Sequence, residues 1–441
     1  MKRAALHNLG CKVNAYETEA MQQQLEDAGY QIVPFGEVAD LYIINTCTVT
    51  NIADRKSRQM LHKAKKQNPQ AIVVAVGCYV QASKEICESD PAIDLVIGNN
   101  RKHEIVQIIN DFHLQSTVAT VIDINNTKEY EEMEITRLEN HTRAMMKVQD
   151  GCNQFCTYCI IPYVRGRVRS RKVCSILKEV EQLAKQGYKE IVLTGIHLSS
   201  YGVDFEEKET LLSLVQQIHL IPGIERIRFG SLEPRVITED FVLAIRRLPK
   251  VCPHFHLSLQ SGCDSVLRRM NRHYHTKEYF EKCNLLRSYY DNPAITTDII
   301  VGFPGETEEE FAITKRFLEQ VHFFEMHIFK YSKRAGTKAA AMPDQVAEQK
   351  KTERSNELLQ LEKKMSAEFR KRLIGQKVDV LFEEEVWIAD IFGWVGHTME
   401  YVKVVMEKTE DSNFTTEQIV GQIFSVKIIA KISEDTLLGI Y

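Results

Sequence analysis

No stretch of this 441-residue chain approaches the roughly 18 consecutive apolar residues that a membrane-crossing helix needs, so no membrane span is expected. The opening MKRAALHNLGCKVNAYETEA lacks the apolar core of a secretory leader, and a cytoplasmic location is expected. Glycine and proline are sparse, 21 and 11 residues, which excludes collagen-like and low-complexity architectures. An excess of either charge is missing too. Lys and Arg number 56 against 60 Asp and Glu, a net −4, so this is no basic coat for nucleic acid. Any RNA contact must come from local patches. The chain also lacks an even cysteine count. Eleven cysteines in a reducing compartment point to metal ligands, reactive thiols or core fillers rather than a paired disulfide framework.

What is present is a recurrent strand–helix alternation. The apolar runs AALHNLG, LYIINT and IVVAVG end at Cys11, Cys47 and Cys78, and a fourth, IDLVIG, ends at Gly98. Between them lie helical patterns at Glu17 to Gly29 and Ala53 to Gln67. This predicts an α/β domain with a parallel sheet, residues 1–130, whose ligands sit beyond the carboxyl ends of the strands. Three cysteines would meet there, suiting an iron–sulfur cluster with one open iron or an incomplete zinc site. Asn14, Asn45 and Gly77 would place polar backbone around them. Cys87, on a predicted helix, is read as structural.

The segment GCNQFCTYCIIP packs Cys152, Cys156 and Cys159 into one tight loop. Three thiolates at this spacing suit a cubane cluster that keeps one iron free; zinc would want a fourth ligand nearby. Strand-like runs then recur every 30–40 residues, from AMMKVQ to EMHIFKYSKRAG, with amphipathic helices between. Six such units predict a partial (β/α)6 barrel over residues 140–343. Its strand ends form the mouth where chemistry is expected. Cys174, Cys252, Cys263 and Cys283 are not expected to be ligands, Cys263 being the one nearest the mouth.

CNQFCTYC resembles the signature of radical S-adenosylmethionine (SAM) enzymes. GCKVN, NTC, VGC and RGRVRSR resemble the methylthiotransferases among them, and the likeness runs through essentially the whole chain. LGCKVNAYETEAM, INTCTVTNIADRKSRQ, EIVLTGIHLSSYG and KYSKRAGTKAA look most like the branch that acts on N6-threonylcarbamoyladenosine in tRNA. The isopentenyladenosine and ribosomal-protein branches are alternatives, as is an RNA-binding iron–sulfur redox sensor. The resemblance implies two [4Fe–4S] clusters and SAM as cofactors. Cys152, Cys156 and Cys159 would hold the SAM-binding cluster, and Cys11, Cys47 and Cys78 an auxiliary cluster that handles sulfur. Cofactor contacts are expected at Tyr158, Thr194, Gly195, Ser231, Glu233, Gln260, Val301 and Gly302. The open iron would chelate SAM, a 5′-deoxyadenosyl radical would take hydrogen from the adenine carbon, and a second SAM would give the methyl group. No side-chain acid or base is required. Expected partners are the tRNA anticodon stem–loop, where position 37 is modified, an electron donor and a sulfur source.

Arg165, Arg167, Arg169 and Arg171 alternate in YVRGRVRSRKV, which predicts guanidinium groups on one side for phosphate contact. Arg55, Lys56, Arg58, Lys63, Lys65 and Lys66 form a second basic stretch. Residues 344–373 read as a charged linker helix, and residues 374–441 as a small β-barrel that resembles the TRAM domain. That last segment is acidic, with five lysines and no arginine against twelve acids. It would grip RNA weakly, stack bases on Trp387, Phe392, Trp394 or Tyr401, or mainly cover the substrate.

Overall fold

The computed structural model describes residues 2–114, 120–135, 142–408 and 414–441. The first layer is a five-stranded parallel sheet. Its strands, in spatial order, are Gln31–Ile32, Arg3–Asn8, Leu41–Thr46, Ile72–Gly77 and Leu95–Ile97. Leu41–Thr46 is buried on both faces, the signature of a central parallel strand. The helix Lys12–Asp27 starts five residues earlier than its apolar periodicity predicts, because Cys11 stands extended as its N-cap and leads straight in from the strand. The next helix, Asn51–Gln67, is capped by Thr50, whose hydroxyl accepts from the Ala53 N–H at 3.1 Å.

The second layer is an open barrel of six parallel strands: Arg143–Asp150, Glu190–Gly195, Arg226–Phe229 continuing as Ser231–Leu232, His254–Leu257, Ala294–Val301 and Glu325–Lys330. Gly230 is the break where the third strand passes from one sheet to the next. A two-residue strand, Arg169–Ser170, runs antiparallel on the open edge. Alternate side chains such as Phe255, Leu257, Ile295 and Ile299 face the surrounding helices and form the largest core. Their neighbours face the lumen.

The helix Glu348–Lys371 then crosses the last barrel strands and leads into a closed five-stranded barrel. Its last strand, Thr436–Ile440, is one that the sequence pattern did not separate from the preceding turn. This small barrel plugs the amino-terminal end of the larger one. Arg226 donates to the carbonyls of His397 and Asp379 at 2.9 and 2.8 Å, Arg228 to that of Met399 at 2.7 Å, and Arg143 pairs with Glu383 at 3.0 Å. Tyr401 lies beneath Arg143 and Arg228 and stacks on His397. The acidic domain thus serves as a cover for the barrel's basic floor. Trp394 is buried in its core and Tyr401 is engaged, so neither is free to stack a base; Trp387, 67 % exposed, sits at a hairpin tip beside Phe392. Among the described residues no helix is long and apolar enough to cross a membrane.

Candidate active site

The two cysteine triplets lie at carboxyl ends of strands in adjoining sheets. Cys11 follows Arg3–Asn8, Cys47 follows Leu41–Thr46, and Cys78 opens the short helix after Ile72–Gly77. They are drawn together by the residues between them. Asn14 donates to the carbonyls of Leu9 and Thr46 at 2.8 and 3.0 Å, and Asn45 donates back to the Asn14 carbonyl at 3.0 Å. Gly10 adopts φ +111°, and a Cβ there would stand 3.1 Å from the Cys47 sulfur. Cys152, Cys156 and Cys159 occupy the loop after Arg143–Asp150. Cys78 packs directly against Ile160 and Val164, which follow that loop, so the first triplet abuts the segment that continues from the second.

The loop is held from below. Gly151 has φ +71°, and a Cβ there would lie 1.8 Å from the Arg167 carbonyl oxygen. The Cys152 N–H donates to Gly166 at 3.0 Å, and the Thr157 N–H to Met270 at 3.0 Å. Gly151→Ala is therefore expected to cost about 1–3 kcal/mol in backbone strain alone and to reduce iron loading at this loop, checked by thermal denaturation and iron assay.

Burial pushes the Cys47 and Cys152 thiols up to about 11 and the Cys159 thiol up to about 12. All six sulfurs are free of disulfides. Such thiols give up their protons when iron takes the proton's place. Charged donors already point at them. Arg165 Nε lies 3.2 Å from the Cys78 sulfur, and Arg272 Nη1 lies 3.2 Å from the Cys156 sulfur. Asn99 adds a longer contact to Cys78 at 3.6 Å. Behind Cys78, the buried cations Arg165, Arg169, Lys147 and Lys102 surround the carboxylates of Glu17 and Asp150, while Glu131 faces His103. Cations exceed acids here. An anionic thiolate-bound cluster fits such a pocket, whereas three bare thiols would leave it positive.

The arginine-rich segment departs from expectation. Arg165, Arg169 and Arg171 are at most 1 % exposed. Arg171 pairs with Glu179 at 2.5 Å and Glu132 at 2.9 Å, and Arg169 donates to the Arg165 carbonyl at 2.9 Å. The side they share faces inward, so they seal the two domains together and do not reach phosphate. Arg167 alone of the four is exposed, over the Phe155 ring at 4.5 Å. On the helix Asn51–Gln67, Arg55, Lys56, Arg58, Lys63 and Lys66 are exposed, while Lys65 pairs with Asp94 at 2.7 Å.

The expected cofactor contacts divide. Ser231 is exposed at the mouth, and Gln260 sits at a strand end with φ +73°. Glu233 pairs with Arg235 at 2.9 Å and faces His197 at 3.6 Å. Tyr158 packs against the Cys263, Met270 and Phe303 cluster, and Thr194 and Gly195 end the second barrel strand beside Gln149. Val301 and Gly302 are engaged within the protein. The Val301 side chain lies in the helix-facing core. Gly302 donates its N–H to Glu306 at 2.7 Å and lies under Lys351, whose Cγ would be 2.3 Å from an added Cβ. Both serve packing. Cys87, Cys252, Cys263 and Cys283 are buried, Cys263 beside Tyr158 of the cysteine loop, and Cys174 is exposed on a helix.

Arg165 and Arg272 as sulfur partners were not found by pattern. Both lie beyond the cysteine motifs, and only the fold brings them within reach. The lumen also holds His256, Asp298 and His327, whose ligand atoms lie within 4.8 Å of one another.

Residues 3–98 match the uncharacterized protein family UPF0004, and residues 146–318 match the radical SAM superfamily. The chain is 40 % identical to the threonylcarbamoyladenosine tRNA methylthiotransferase MtaB of Bacillus subtilis, over 97 % of this chain and 94 % of that one. It belongs to the radical SAM methylthiotransferase family. The MtaB of Aquifex aeolicus is 40 % identical over 87 % of this chain and 93 % of its own. The tRNA-2-methylthio-N6-dimethylallyladenosine synthase of Thermoanaerobacter pseudethanolicus is 41 % identical over 86 % and 81 %. Among solved structures, the radical SAM methyltransferase TsrM of Kitasatospora setae shares the fold, with a TM-score of 0.57 at 12 % identity over 75 % of this chain and 72 % of that one. As a radical SAM methylthiotransferase, the protein uses [4Fe–4S] clusters and SAM.

Proposed function

We propose that this enzyme converts N6-threonylcarbamoyladenosine at position 37 of tRNA to its 2-methylthio derivative. Cys152, Cys156 and Cys159 would hold the cluster that binds SAM, and Cys11, Cys47 and Cys78 the auxiliary cluster. The observation that carries the reading is 40 % identity, over 97 % of the chain, to a methylthiotransferase named for this substrate. Bound there, the clusters and SAM would supply radical generation, sulfur and a methyl group once an electron donor has reduced the SAM-binding cluster. The chain's own residues do the rest. Asn14, Asn45 and Gly10 hold the first triplet in one crevice. Ile160 and Val164 pack apolar side chains against Cys78. Arg165 and Arg272 stabilise thiolate charge at Cys78 and Cys156. Exposed Arg167 and the cationic face of Asn51–Gln67 offer positive charge to the RNA backbone.

A second reading, the dimethylallyladenosine substrate, is favoured by the 41 % identity to an enzyme named for that product. Nucleoside mass spectrometry on tRNA from cells with and without the gene separates the two. Selective loss of 2-methylthio-threonylcarbamoyladenosine is the expected result. Loss of the isopentenyl product instead would keep the family and change the substrate.

A further inference from the structure

A cavity of about 230 Å³ opens inside the barrel lumen, walled by Lys12, His254, His256, Asp298, Glu325 and His327. It is below the roughly 300–1,000 Å³ of a site that takes a whole small ligand, so its volume suits a substituent rather than a nucleoside. Its position is telling. Lys12 directly follows Cys11, and Ser231 on the opposite wall lies two residues before Glu233 at the barrel mouth. The cavity therefore starts beside the auxiliary triplet at Lys12 and extends down the lumen to His254, Glu325 and Tyr401 at its floor.

The charges on its walls are unequal in one respect. Glu325 is held by Arg370, and Asp298 faces His256 Nε2 at 3.2 Å. His256 Nδ1 meets the Thr296 hydroxyl at 3.0 Å, and its ring stacks on His327. Deeper cations are already matched, Arg143 to Glu383 and Arg228 to Glu190 at 2.6 Å. Lys12 is exposed to the cleft and, among the described residues, makes no hydrogen bond or ion pair. Asp298 and Glu190 attract this ammonium only from beyond ion-pair distance while Arg228 and Arg143 repel it, so its place in a concave site is open to a further anion.

We propose that this cavity is the subsite for the threonylcarbamoyl group, with Lys12 binding its carboxylate. The inference rests on the substrate reading above. Adenine carries C2, N1 and N6 along one edge, so a base placed with C2 between the two triplets must direct its N6 substituent into the space beside them. That substituent has one carboxylate, which Lys12 matches, and amide and hydroxyl groups, for which the histidines and Asp298 offer partners. A dimethylallyl group has nothing to pair with Lys12 and would leave the ammonium desolvated and unpaired. Lys12 is thus a specificity-determining binding residue.

The test is equilibrium binding of anticodon stem–loop RNA to the anaerobically reconstituted enzyme, read by fluorescence anisotropy. Three RNAs carry threonylcarbamoyladenosine, its carboxylate methyl ester, or plain adenosine at the target position. Wild-type enzyme is expected to bind the acid about ten- to a hundredfold more tightly than the ester, the usual range for a charge-assisted contact. Lys12→Gln is expected to erase that difference, and Lys12→Arg to restore most of it. The ester comparison needs no variant, so it stands even if Lys12→Gln loads iron poorly. If wild type prefers threonylcarbamoyladenosine to adenosine but binds acid and ester alike, or if Lys12→Gln keeps the full acid preference, the subsite assignment is wrong and the substrate survives. If wild type does not distinguish threonylcarbamoyladenosine from adenosine, the substrate reading falls and this inference with it.

Discussion

Cys156→Ala is expected to abolish SAM cleavage, by more than about a thousandfold, while Cys11→Ala is expected to leave reductive SAM cleavage intact and to stop only sulfur insertion. The two variants should each lose about half of the iron, since each triplet would hold one cubane. The reasoning is geometric. The triplets belong to separate sheets and share no residue, so losing one leaves the other's scaffold in place. Each cysteine carries a third of the ligand set of its cluster, and no described histidine or cysteine stands ready to replace it: the lumen triad His256, Asp298 and His327 is made of barrel-strand residues that lie in neither triplet. Production of 5′-deoxyadenosine under dithionite and the ratio of methylthiolated to unmodified nucleoside separate the two outcomes. If Cys11→Ala also ended SAM cleavage, the division of labour between the triplets would be wrong.

Arg165→Met is expected to destabilise the protein by about 3–5 kcal/mol, a fall of roughly 10 °C in melting temperature. Arg165 is fully buried. Its guanidinium reaches Glu17 at 2.5 Å, Asp150 at 3.2 Å, Asn14 at 2.6 Å and the Cys78 sulfur at 3.2 Å. Removing it strands carboxylates that these cations hold well below the usual range, in a place water does not enter. Those two carboxylates have depressed folded-state values. Their stabilising contribution is therefore complete above the unfolded-chain value near pH 4 and is lost as pH falls toward the folded one. The Arg165→Met variant should accordingly lose part of that acid tolerance. Lysine will not restore the site, because one ammonium cannot reach sulfur, two carboxylates and an amide at once. A second readout distinguishes a sulfur contact from simple packing. Loss of a cationic donor to a cluster sulfur lowers the reduction potential, so the auxiliary cluster of the variant should be harder to reduce in an EPR-monitored titration. An unchanged potential would make Arg165 a domain clamp only.

The cysteine chemistry was legible because its signal is local. CxxxCxxC is confined to eight residues, and the other triplet marks the ends of three recognisable strands. The alternation of apolar strands with amphipathic helices likewise gave both α/β layers. Two kinds of residue misled or escaped the reading. Arg165, Arg169 and Arg171 look like an exposed basic ribbon, because a sequence shows alternation but not which side is covered. Their partners, Glu17, Asp150 and Glu179, come from three different elements. Lys12 escaped notice because a single lysine beside a cysteine carries no pattern; only the docking of the first sheet onto the barrel turns it into the wall of a cavity.

The sequence by itself determined the two cysteine triplets proposed as ligands, the parallel strands that end in the first of them, the six-unit barrel and the membership that follows. These depend on spacing along the chain and on periodicity, which short-range sterics and hydrophobic burial translate directly into structure. The tertiary structure decided what each charge is for. It turned arginines inward against buried carboxylates, gave the acidic terminal barrel the role of a floor, and left Lys12 facing a cavity with no direct ion pair among the described residues. Electrostatic partners are chosen by distance in space, and in a fold of parallel crossovers that distance bears no relation to separation along the chain.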